Sequence, residues 1–193
     1  MNKIELRKLS KLDYREPTSF LVGLRRLEIE IALSQTPDSI RHLRTNGLKS
    51  WRESREAAIF CHMMGERIGT TVYLSPVEAE DYDFVALHQL DGTTHYSKVQ
   101  LKEFSSIDLP GSRSIDSLIS SLGKYGSAPN LFVAVHLNRR MQIDPSQIAV
   151  PQEARGIGSL WMFGAIAPDQ SRWRLWGNLL ENPCICTSHL YPQ

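Results

Sequence analysis

The chain has 193 residues, 41% hydrophobic and 22% charged, with a formal net charge of +1 and three cysteines. That length and composition suit one globular domain of ordinary size and exclude a disordered, fibrous or collagen-like chain. An odd number of cysteines argues against a disulfide framework, and the polar N-terminus MNKIELRKLSKLDYREP lacks the apolar stretch of a signal peptide. The longest apolar runs, such as 131–135, fall far short of the roughly 20 residues that span a membrane. The expectation is a cytoplasmic protein with no membrane association. Charge is unevenly placed: residues 1–55 carry 12 Lys/Arg against 7 Asp/Glu, so the rest of the chain is acidic on balance. A basic arm beside a neutral or acidic core suits a polyanionic partner; a solvated helical face explains it equally well.

In chain order, residues 1–49 read as a helical extension. Phe20, Leu24, Leu27 and Ile31 recur at helical spacing after Pro17, Thr18 and Ser19, which supply a start. A short helix is expected after Thr36, with Pro37 at its first position and Asn46-Gly47 at its end. Ser50 opens a third helix, Glu53 completing a capping box, and Gly65 or Gly69 stops it. From Thr70 the period becomes alternating. Thr71 to Leu74 is a short strand, and Asp83 to Gln89 and His95 to Phe104 are stronger ones around the hairpin dipeptide Asp91-Gly92. A helix from Ser114 presents Ile115, Leu118, Ile119 and Leu122 and stops at Gly123; LFVAVHL from Leu131 is a buried strand. Leu160 to Ala167 and Arg172 to Gly177 form a hairpin around Pro168-Asp169, with Trp161, Trp173 and Trp176 packing it onto the core in preference to stacking on bases.

If Asp91 and Gly92 are the two central turn residues, the register sets Asp83 opposite Gln100 and His88 opposite His95. Lys102 shares the face of Gln100, whereas Val99 and Leu101 point into the core. A three-residue turn with a bulge would shift the register by one and undo the match. An acid, an amide and an amine thus gather at one end of a hairpin. Magnesium takes oxygen ligands, few of them from protein, and keeps several waters. Asp83 suits the anchoring ligand, Gln100 a neutral oxygen ligand, Lys102 the cation beside water or phosphate, and the Leu101 carbonyl completes the shell.

An acidic residue at the start of one strand (Tyr82-Asp83-Phe84-Val85), an x-Lys triplet on the next (Val99-Gln100-Leu101-Lys102), then helix and strand resembles the pattern of the PD-(D/E)XK nuclease superfamily. The resemblance covers residues 51–140, roughly half of the chain. It implies an α/β restriction-endonuclease-like core: helix, three-strand meander, helix, strand, in a mixed sheet flanked by helices, within residues 50–193. It also implies a Mg2+- or Mn2+-dependent endonuclease acting on nucleic acid, with DNA taken as the substrate and RNA left open, and with Glu56 on the preceding helix as a further metal ligand. Glu53, on the same helical face, competes for that place. Tyr82 stands where the motif has proline, and Gln100 where it has a second acid, which removes a negative charge and points to the rival reading, a catalytically silent nucleic-acid-binding or assembly module. Lys124, Tyr125, Arg139 and Arg140 are candidate nucleic-acid contacts, and the N-terminal helices are the expected docking surface for a protein partner or a second copy. Cys184, Cys186 and His189 lack a fourth zinc ligand at standard spacing, and Cys61 is expected to be a buried thiol.

Overall fold

A computed structural model describes residues 2–33, 49–77, 79, 81–107, 112–139, 142–181 and 183–193. The expected helix after Thr36, and Arg140, lie outside these residues. The fold is mixed α/β. Helices are α1 (Lys3–Leu9), α2 (Pro17–Leu33), α3 (Lys49–Ile68) and α4 (Ile115–Ser120), and strands are β1 (Tyr73–Pro76), β2 (Phe84–Leu90), β3 (Thr93–Phe104), β4 (Leu131–Leu137), β5 (Ser159–Ala165), β6 (Arg172–Gly177) and β7 (Ile185–Leu190). The strands form one seven-stranded sheet in chain order. β1, β2 and β3 are antiparallel, β3–β4 and β4–β5 are parallel, and β5, β6 and β7 are antiparallel. No helix among the described residues is long and apolar enough to cross a membrane.

The β2–β3 hairpin follows from its turn. Asp91 and Gly92 have φ of 49° and 73°, the left-handed pair that a two-residue turn matching strand twist requires. Phe84 therefore pairs with Val99 and His88 with His95, the register expected from the sequence. Period-2 alternation then sorts β3 onto two faces. Val99 and Leu101 join α3, Phe84, Ala134, Phe163 and Trp173 in one buried cluster. Gln100, Lys102 and Phe104 face the other way, toward the cluster built from Leu118, Ile119, Leu122, Val133 and Val135. β4, buried on both faces, is apolar along almost its whole length, as a central strand with parallel neighbours must be.

Several local expectations are corrected. α3 begins at Lys49, and Glu53 pairs with Lys49 at 3.4 Å on the helix surface instead of closing a capping box; its other end is as expected, the helix stopping at Ile68 before Gly69, whose φ of 74° is left-handed. On α2 the buried residues are Pro17, Leu21 and Leu24, while Leu27 is exposed. Only the first turns of α2 reach the core. Further along, Arg55 Nε of α3 donates to Glu28 at 2.7 Å, so the apolar stripe is buried at Leu24 and has left the core by Leu27. The segment before it is tied in as well: Arg15 exchanges backbone hydrogen bonds of 2.8 and 3.0 Å with Leu74, covering the outer edge of β1. β7 was not legible in the sequence, because ICTSHL exposes Ile185 and Leu190 and buries only His189, the reverse of an amphipathic strand.

α4 opens where expected, Ser114 Oγ accepting from Ser117 N–H at 3.1 Å, but Gly123 does not end it. The chain tightens into a 3₁₀ turn over Ser121–Tyr125 and stops at Gly126. Here backbone meets backbone. A Cβ on Gly126 would lie 1.9 Å from the Glu153 carbonyl oxygen, and one on Gly156 would lie 1.5 Å from that of Gly126. This contact fixes the end of the turn and with it Tyr125. Gly156→Ala is expected to destabilise the fold by at least about 1–3 kcal/mol, since a rotamer change cannot relieve a collision between backbones. Thermal and urea unfolding would measure it.

Candidate functional site

Asp83 is the last residue before β2, and its backbone is held on both sides: its N–H donates to Val99 O at 2.9 Å and its carbonyl accepts from Val77 at 3.1 Å. Beyond Phe84 the ladder ends, which leaves Leu101 on β3 without a strand partner on that side. The N–H and C=O of one strand residue point to the same side, so both main-chain groups of Leu101 face the space beside Asp83. The carboxylate takes the strand's place. Asp83 Oδ2 accepts the Leu101 N–H at 2.6 Å and also accepts from Gln100 Nε2. Gln100 Nε2 lies 3.2 Å from the Leu101 carbonyl oxygen as well, and Gln100 Oε1 accepts from the Tyr125 hydroxyl at 2.9 Å. Gln100 is 6% exposed, so this network satisfies an amide that could not otherwise sit in the interior.

Lysines surround the network. Lys102 Nζ lies 5.4 Å from the centroid of the Tyr125 ring, and Lys124 Nζ lies 4.7 Å from it. Neither forms an ion pair among the described residues. Lys98, two residues back along the same face of β3, is paired with Glu5 of α1 and lies 5.0 Å from the Tyr82 ring. Its hydrogen bond and charge hold the Glu5 carboxyl below the usual carboxylate range. The site thus combines, among the described residues, one carboxylate, two lysines without a carboxylate partner and a phenol. Among the described residues no three His, Cys, Asp or Glu side chains gather as a metal-ligand group. A cation at Asp83 would have one carboxylate, the Leu101 carbonyl and an amide whose nitrogen, not its oxygen, now faces that carboxylate. Such a set suits a weakly held, largely hydrated Mg2+, provided the amide turns.

Of the residues singled out in the sequence, Asp83, Gln100, Leu101, Lys102, Lys124 and Tyr125 come together. Glu56 does not join them. It is buried on the α3 face of the sheet, where His136 Nδ1 lies 3.1 Å from its Oε1 without hydrogen-bond geometry, and His136 stacks on Phe163 at 5.1 Å. The physical reason is that α3 packs over Val99 and Leu101, whereas Asp83 and Gln100 point to the opposite face. Arg139 lies over the Phe104 ring at 4.2 Å and donates to Ser105 O at 3.0 Å, so its guanidinium holds strand ends together. His88 and His95 stack at 4.9 Å, and burial, then the neighbouring His95, hold His88 below the ordinary histidine range. Cys61 is wholly buried, and burial pushes its thiol up, as befits a core residue. His189 has both ring nitrogens engaged, Nδ1 with Glu66 at 2.5 Å and Nε2 with Thr187 at 2.7 Å, away from Cys184 and Cys186. Trp161 and Trp173 are buried, and Trp176 packs against the second cluster.

Two contacts escaped the sequence reading. Lys98 shares the parity of Gln100 and Lys102, a signal that was available; its partner Glu5 lies 93 residues away and was not. The Tyr125–Gln100 hydrogen bond joins residues 25 apart across a helix and a turn. Compared with protein-family models, with curated proteins and with solved structures, the chain gave no match.

Proposed function

We propose that the protein is a divalent-metal-dependent endonuclease of restriction-endonuclease-like fold, hydrolysing phosphodiester bonds in DNA. The observation that carries the reading is the convergence of the Asp83 carboxylate, the Leu101 carbonyl and Gln100 where β2 ends, with Lys102 on the same face. The element order supports it: α3, an antiparallel β1–β2–β3 meander, α4, then β4 parallel to β3. Asp83 would hold Mg2+ or Mn2+ with the Leu101 carbonyl and the Gln100 amide oxygen. When bound, such an ion supplies Lewis acidity at a phosphate oxygen and acidifies a coordinated water. Lys102 then stabilises the negative charge that develops on the phosphate, and Lys124 takes a neighbouring phosphate of the strand.

One observation favours a second reading, a catalytically silent module that binds nucleic acid or assembles a complex: Gln100 donates to Asp83, so the only carboxylate of the site among the described residues already has its charge partly satisfied. Calorimetry with magnesium and manganese, beside nicking of supercoiled plasmid, separates the two. Absence of metal binding at millimolar concentration, with DNA and RNA left uncut, would retire the enzyme and leave the binding module.

Two variants sharpen the test. Lys102→Ala is expected to keep metal affinity and to slow cleavage about 10²–10³-fold, the usual loss for one well-placed electrostatic contact. Gln100→Glu is expected to raise metal affinity, since a carboxylate repels Asp83 until a cation lies between them. Tyr125 remains able to donate to the new carboxylate, which keeps the side chain in place.

A further inference from the structure

We infer that Tyr125 is a positioning residue for the cation site, serving as the hydrogen-bond partner of Gln100 in two opposite amide orientations. The inference rests on the metal-dependent reading above and adds to it how the site passes between its empty and loaded forms.

The observed orientation follows from the chemistry of the partners. A carboxylate only accepts hydrogen bonds, so the nitrogen end of the Gln100 amide faces Asp83. The oxygen end is thereby turned to Tyr125, whose hydroxyl donates at 2.9 Å. A cation beside Asp83 inverts the preference, because it needs the amide oxygen and is repelled by the NH2 group. Turning the amide about its terminal torsion brings Nε2 to Tyr125. A phenol hydroxyl carries lone pairs as well as a proton, so it accepts from Nε2 as readily as it donated to Oε1.

Burial is what makes this partner necessary. Gln100 is 6% exposed, so an amide end left without a partner in either orientation would carry the full desolvation cost of a buried polar group. Neither neighbouring lysine can substitute, since an ammonium group donates but does not accept. The Leu101 N–H bond to Asp83 is made by the backbone and need not break when the amide turns. The turn that carries Tyr125 is held by the backbone contact of Gly126 with Glu153 and Gly156, and from it the hydroxyl reaches the Gln100 amide.

Magnesium titration of the full chain followed by NMR tests this, with 15N on the backbone and glutamine side chains and 13C at the tyrosine Cζ. The Tyr125→Phe spectrum identifies the Tyr125 signal. The expected result has three parts. The Leu101 backbone amide shifts as its acceptor Asp83 gains a cation, the Gln100 side-chain NH2 protons move upfield as they leave the carboxylate, and the Tyr125 Cζ shifts as its hydroxyl changes from donor to acceptor. A shift at Leu101 with Gln100 or Tyr125 unmoved would overturn this inference and leave the metal site standing. No shift at Leu101 up to millimolar magnesium would overturn both.

Discussion

Asp83→Ala is expected to abolish divalent-cation binding and cleavage together. Asp83 supplies the only carboxylate of the site among the described residues, and a neutral amide and a main-chain carbonyl cannot hold a hydrated divalent ion without it. The substitution also removes the acceptor of the Leu101 N–H and of the Gln100 amide, both in buried residues. An unsatisfied buried donor costs about 1–3 kcal/mol, so a measurable fall in stability accompanies the loss of activity. Asp83→Asn separates the two effects. It keeps an oxygen acceptor for Leu101 while removing the charge, and should retain most of the stability yet bind no metal. Urea unfolding beside calorimetry reads both quantities. Cleavage surviving Asp83→Asn at an unaltered rate would remove Asp83 from the chemistry.

Leu21→Ala is expected to destabilise the whole protein by about 2–5 kcal/mol, a large share of the roughly 5–15 kcal/mol that holds a typical domain together. Leu21 has no exposed surface and belongs to the same buried cluster as Phe60, Phe84 and Phe163. A single cooperative urea transition, shifted to lower concentration, is the expected observation. An unchanged midpoint would mean that α2 is an independent appendage. The result bears on how the basic arm can be tested for DNA binding. Truncation before Lys49 would strip Leu21 and Leu24 from the core, so loss of binding by such a fragment would report unfolding. Neutralising exposed arm residues such as Lys3, Arg7 and Lys8 leaves the core alone, and loss of DNA affinity with a shallower salt dependence would then place phosphates on the arm.

What the sequence determined by itself was local. Asp91-Gly92 sets a two-residue turn, the turn sets the register, and strict alternation carries that register along β3, so the meeting of Asp83 with Gln100 and the shared face of Lys102 were legible from the stretch 83–102 alone. The apolar run of β4 and the Ser114 cap were legible for the same reason, since each depends only on neighbours in the chain. What remained undecided required knowing which surface each element meets. Helical spacing put Phe20, Leu24, Leu27 and Ile31 on one stripe of α2, but packing buried Leu21 beside Leu24 and left Leu27 in solvent. Glu56 occupied a suitable place in the chain, yet α3 covers the Leu101 side of the sheet and delivers Glu56 to His136. The edge strand β7 carries no amphipathic pattern because solvent bathes most of it. The partner of Gln100 was the last unknown. Tyr125 reaches it only because the turn after α4 is pinned by a backbone contact with residues 153 and 156, an arrangement made by packing and absent from any local pattern.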